Sequence, residues 1–128
     1  MHGKLTLAAA LSLAIAASSH AASPPVGAPV KTIDLYSYGY SPKPIRLAAG
    51  RAVTLHFVNR SGKGHDFTAR EFFAASRILS GRVRNGEVDL AGGRSASVTL
   101  IPARGTYKVH CGHFMHKQLG MRGRIIVD

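Results

Sequence analysis

One thiol, one imidazole and one thioether lie close together near the end of this chain. They are Cys111, His116 and Met121, within the run Tyr107-Lys-Val-His-Cys-Gly-His-Phe-Met-His-Lys-Gln-Leu-Gly-Met121. Cys111 is the single cysteine of the 128 residues. A thiolate, an imidazole and a thioether on one short loop suit a soft, redox-active metal, above all copper. Zinc also takes Cys and His, but a structural zinc site normally uses more thiolates, and the methionine argues against it. His113, two positions after the cysteine, competes with His116, and the loop by itself leaves both open. A trigonal copper site needs one more imidazole. His65 is the best candidate, because it follows the flexible stretch Ser61-Gly-Lys-Gly64 and precedes the apolar Phe67.

These donors are distant in sequence, so the elements between them must bring them together. Val53, Leu55 and Phe57 alternate with Thr54, His56 and Val58, the pattern of a half-buried strand. Ala96, Val98 and Leu100 alternate with Ser97, Thr99 and Ile101 in the same way. Shorter strands are predicted around Ile33 and Leu35, Ile45 and Leu47, Val88 and Leu90, and over 124–127. Alternation in the strand entering the loop sends Tyr107, Val109 and Cys111 inward and Lys108 and His110 outward, which sets the thiol at the end of the core. Gly120 and Gly123 let the loop fold tightly. Thr68 with Glu71 three residues on reads as a capping box. It introduces a short helix through Phe72, Phe73, Ile78 and Leu79, ending before Gly81. Roughly seven or eight short strands with one helix predict an all-β fold, an antiparallel β-sandwich.

The start of the chain reads differently. Lys4, the apolar run from Leu5 to Ala17 and the small residues up to Ala22 predict a cleaved secretory signal over 1–22, too short to span a bilayer. Residues 23–30 (Ser-Pro-Pro-Val-Gly-Ala-Pro-Val) are expected to be a flexible Pro-rich tail, and 31–128 the folded domain. Export implies a periplasmic or secreted protein. In such an oxidising compartment a lone thiol is a hazard unless it is buried or metal-bound.

Lys and Arg number 17 against 6 Asp and Glu, a net charge of +11. Such a balance favours acidic partners. The basic residues are dispersed along the chain and no nucleic-acid motif accompanies them, which reads as a generally solvated basic surface.

The stretch Cys111-x4-His116-x4-Met121-x-Gly123, entered from an aromatic strand, resembles the ligand loop of cupredoxins, the small blue-copper proteins. The upstream pattern is similar too: Pro42-x2-Ile45-x-Leu47-x2-Gly50-x2-Val53, then Asn59, then His65-Asp-Phe67. The resemblance covers residues 33–128. It implies a Greek-key β-sandwich holding one copper ion at one end through His65, Cys111, His116 and Met121. It selects His116 over His113, which becomes a neighbouring or surface residue. In related proteins a neighbour of the ligand cysteine such as His110 can lie on an electron exit route; the alternation reads His110 as an exposed strand histidine. The loop spacing is longer than that of plastocyanin and closer to periplasmic cupredoxin-like domains and copper oxidases.

The expected function is one-electron transfer by a monomeric periplasmic type 1 copper protein with an acidic redox or metal-trafficking partner. The alternative is a copper carrier on the same fold, for which Met115, His110 and His113 offer extra donors. An enzyme of the copper oxidase or nitrite reductase type is not expected. One short domain lacks the second domain and the additional histidine pairs, and a loop with one cysteine argues against a dinuclear copper centre.

Overall fold

The computed structural model describes residues 27–128 except Phe114 and Lys117; the expected signal segment lies outside the described residues. The chain runs β1 (Val30–Tyr36), β2 (Gly39–Ser41), β3 (Ile45–Leu47), β4 (Val53–Asn59), β5 (His65–Thr68), α1 (Arg70–Ala75), β6 (Arg77–Ser80), β7 (Glu87–Leu90), β8 (Ser95–Ile101), β9 (Gly105–His110) and β10 (Arg122–Val127). The strands form two five-stranded sheets, ordered β2-β1-β4-β8-β6 and β3-β10-β9-β5-β7. The β-sandwich with one short helix is as the alternation predicts. Two pairs, β1–β4 and β3–β10, are parallel within the otherwise antiparallel sheets.

The core lies between the sheets and is built from the apolar members of each alternating run. Ile33, Leu35, Leu55, Phe57, Val98 and Leu100 come from the first sheet, and Ile45, Phe67, Val88, Val109, Ile125 and Val127 from the second. Phe57 and Phe67 meet across the sandwich with ring centroids 4.8 Å apart. Burying a side chain of this size contributes about 1.5–3 kcal/mol.

Three local expectations change. Val30, the last residue of the expected tail, opens β1, and the Pro29 carbonyl accepts the Thr54 N–H. Thr68 does not cap the helix: it is buried in β5, its hydroxyl donates to the Asp66 carboxylate at 2.7 Å, and α1 begins after Ala69 without a side-chain cap. The helix ends at Ala75, and Ile78 and Leu79 belong to strand β6, which pairs with β8. Hydrogen bonding to a neighbouring strand there outweighs a helical pattern of only two turns.

In the second sheet β5 meets β9 through one registered pair, Thr68 opposite His110. β5 is bonded along its full length to β7 on its other side. The seam between β5 and β9 lies where His65 and Cys111 come together.

Candidate metal centre

His65 is the first residue of β5, Cys111 directly follows β9, and His116 lies on the loop that returns to β10. Their donor atoms come within 4.8 Å of one another. His65 Nδ1 and His116 Nδ1 are 3.1 Å apart, and Cys111 Sγ is 3.4 Å from His116 Nδ1. Metal–ligand bonds of about 2.0–2.3 Å in a trigonal plane set neighbouring donors about 3.5 Å apart, so the three residues fit a single ion without large rearrangement. His65 is fully buried, Cys111 is 1% exposed and His116 is half-buried. One thiolate with two imidazoles matches the chemistry of copper.

The loop is tied at both ends. The Cys111 N–H donates to the Met121 carbonyl at 3.1 Å, and the Met121 N–H donates to the His116 carbonyl at 3.0 Å. Met121 is therefore fixed beside both residues through its backbone, and its side chain is fully buried. Gly120 precedes it at φ +91, a conformation that a side chain would strain.

Asp66 clasps the cysteine side of the site. Its N–H donates to Cys111 Sγ at 3.4 Å, and both oxygens of its carboxylate accept the Gly112 N–H at 2.9 Å. Its carbonyl accepts the Tyr40 hydroxyl at 2.7 Å. Gly112 suits this position because a Cβ there would lie 3.2 Å from the carboxylate. Asn59 holds the loop that leads into His65. Its amide donates to the carbonyls of Lys63, Leu90 and Ala91, and its oxygen accepts the Ser61 N–H and hydroxyl.

The turn between β1 and β2 covers the histidines. Ser37 Oγ is 3.0 Å from His65 Nε2. The Tyr38 ring lies 5.0 Å from the His116 ring and 6.0 Å, edge-on, from that of His65. Sequence reasoning missed the roles of Ser37, Tyr38 and Asp66. The alternation of Tyr36, Tyr38 and Tyr40 is the nearest signal in the sequence. The structure divides the three: Tyr40 is core, Tyr38 covers the site and Tyr36 is exposed. His113 stacks on His116 with centroids 5.5 Å apart and turns Nε2 to Asp89 at 3.1 Å, which leaves it outside the three-donor cluster. His110 is half-buried on the outer face of β9, and exposed Met115 lies on the loop.

Burial, then the neighbouring His116 and His113 rings, hold His65 below the ordinary histidine value. His116 is lowered by desolvation and then by His113. Burial raises the Cys111 thiol, against the opposing pull of N–H groups from Asp66 and His113. Without a metal the donors are therefore two neutral imidazoles and a protonated thiol. Loading copper at about pH 7.5 should release one proton per ion, because only the thiol must be deprotonated. Well below the free-histidine value of about 6.5, the histidines protonate as well. There the proton release per ion should rise and the affinity should fall. Titration in a pH-stat checks this; release near zero at about pH 7.5 would mean that the thiol is not a ligand.

Among the described residues, ten strands form a sandwich with one thiol and two imidazoles at one end, which defines a β-sandwich protein with a candidate site for one metal ion. The chain matches the model of the cupredoxin-like domain over residues 5–127, and it belongs to that family. It is 32% identical over 126 residues to the chloroplastic plastocyanin of Physcomitrium patens, spanning 98% of this chain and 69% of that protein. Dithionite-reduced auracyanin from Roseiflexus castenholzii superposes with a TM-score of 0.59 at 22% identity, covering 80% of this chain and 99% of that one. A multicopper oxidase from Campylobacter jejuni gives 0.61 at 14% identity over 80% of this chain and 31% of the oxidase. At these identities the structural matches speak for the fold alone.

Proposed function

We propose that the chain is a type 1 copper protein that carries single electrons, with His65, Cys111, His116 and Met121 as ligands to one ion. The observation that carries this reading is the convergence of one thiol and two imidazoles, at 3.1 and 3.4 Å, on a core edge already held by hydrogen bonds. Copper supplies a one-electron couple between Cu(I) and Cu(II), served by the thiolate and imidazoles in both states and shifted toward Cu(I) by a weak thioether. The protein's part is to keep that set of donors fixed. Asp66 donates its N–H to the sulfur, Ser37 accepts the His65 Nε2–H once Nδ1 faces the metal, and Tyr38 packs against both imidazole rings. A site held in this way rearranges little between oxidation states.

Similarity to a plastocyanin over nearly the whole chain supports electron transfer over catalysis, whereas the multicopper oxidase is matched over less than a third of its length. Among the described residues no helix is long and apolar enough to cross a membrane. The signal-like segment at 1–22 favours export to the periplasm, and the basic charge favours an acidic redox partner. A copper carrier on the same fold is the second reading, favoured by the exposed Met115 beside the site.

Copper loading of the chain should give an intense blue colour, the EPR spectrum of a thiolate-bound Cu(II) and a reversible one-electron couple. A colourless Cu(II) adduct would reject the proposal. Very tight Cu(I) binding against a chelator, combined with slow electron exchange, would favour the carrier.

A further inference from the structure

Four basic residues that stand apart in sequence are brought onto one face by the fold. β3, β10 and β9 lie side by side, and their outward positions are exposed at Arg46, Lys108, Arg122 and Arg124. Lys108 sits directly opposite Arg124 in the β9–β10 register. Arg46 pairs with Ile126, one step diagonally from Arg124. Like charges facing each other destabilise a sheet, so internal packing does not account for this pair. The three strands contain no Asp or Glu. Among the described residues, Arg46, Lys108 and Arg124 form no ion pair. On the same sheet Asp66 of β5 is buried, its carboxylate taken up by Thr68 and Gly112, and the acidic residues Glu87 and Asp89 lie on β7, at the far edge beyond β5. Asp128 follows the end of β10 that points away from the metal centre. β9 itself runs from this face into Cys111, three residues beyond Lys108, a span of about 10 Å of strand.

We propose that the outer face of β3, β10 and β9 docks an acidic protein surface, that of the redox partner. The proposal rests on the electron-carrier reading. Charge complementarity selects an acidic occupant, and continuity with the strand that ends in the ligand cysteine selects a protein that exchanges electrons. An acidic patch here would satisfy Arg46, Lys108 and Arg124 together and bring its donor group against the strand that leads to Cys111.

The test uses the copper-loaded chain and reduced cytochrome b5, an acidic electron-transfer protein, as the probe. Lys108→Glu with Arg124→Glu should lower the second-order rate of reduction at least about tenfold at low salt and flatten its salt dependence. Arg77→Glu with Arg82→Glu makes the same change in net charge at exposed positions elsewhere and should leave the rate within about threefold. Equal losses from both pairs would mean that net charge alone acts, and would overturn the proposal. So would an unchanged rate in the first pair accompanied by loss of binding to phosphatidylserine vesicles, which would make the face a membrane contact. Docking is read separately from chemistry by amide shift changes in the labelled chain titrated with cytochrome b5. Shifts on β9 and β10 without electron exchange would support the docking face and sink the electron-carrier reading; shifts confined to other faces would overturn the docking face itself.

Discussion

Replacing Cys111 by serine is expected to remove the visible absorption of the copper-loaded chain entirely while leaving the sandwich folded. The colour requires a thiolate bonded to Cu(II), and a serine hydroxyl stays protonated at neutral pH and is a hard, poor donor for Cu(I). The hydrogen bonds that shape the loop here are backbone bonds or involve Asp66: Cys111 N–H to Met121 O, and Gly112 N–H to the carboxylate. They survive the substitution. The new hydroxyl has the Asp66 N–H and His116 Nδ1 within reach, each 3.4 Å from the present sulfur. The metal-free stability should therefore change by no more than about 1 kcal/mol. Visible spectra of the loaded forms and urea unfolding of the metal-free forms check the two halves. A blue serine variant would remove the thiolate from the proposed ligand set.

Asn59 should show the opposite pattern, a large loss of stability from a residue that is not a ligand. It is 1% exposed, and its amide nitrogen faces three carbonyls while its oxygen takes two donors from Ser61. Alanine would leave several of these buried groups unpaired, at a cost of about 3 kcal/mol or more. That is a large part of the roughly 5–15 kcal/mol that holds a typical domain together. Aspartate should be worse than alanine, because it sets a negative charge against three carbonyl oxygens. The same loop delivers His65, so copper affinity should fall alongside stability. His56→Ala, which removes an exposed bond to Ser97, should cost less than about 1 kcal/mol and serves as the comparison. Equal unfolding midpoints for the Asn59→Ala and wild-type chains would refute the role given to Asn59.

The parts of this molecule that could be read from sequence are those set by short-range pattern. Alternation marked β4, β8 and β9, and the spacing of Cys111, His116 and Met121 marked a candidate soft-metal loop, from which the fold brings Cys111 and His116 together with His65. His65 could be found because a second imidazole was chemically required and one histidine stood between a glycine-rich stretch and an apolar strand. Ser37, Tyr38 and Asp66 gave no such signal, since each acts on a residue at least 28 positions away. Thr68 and Glu71 had the spacing of a helix cap, yet the Asp66 carboxylate, two residues from Thr68, took the hydroxyl. Ile78 and Leu79 read as helical until β8 offered a strand to pair with. Arg46 appeared remote from Arg122 and Arg124 because β3 and β10, adjacent in the sheet, stand far apart in the chain.

The single registered pair between β5 and β9 has a further consequence. A two-stranded unit fastened to its neighbour by so little backbone is a natural place for local opening, at a free energy below that of global unfolding. A metal held by His65 on one side and Cys111 on the other crosses that seam like a buckle. Loading at the proposed site would then do more than fill it: it would join the β5–β7 ribbon to the rest of the second sheet and make that seam open less often.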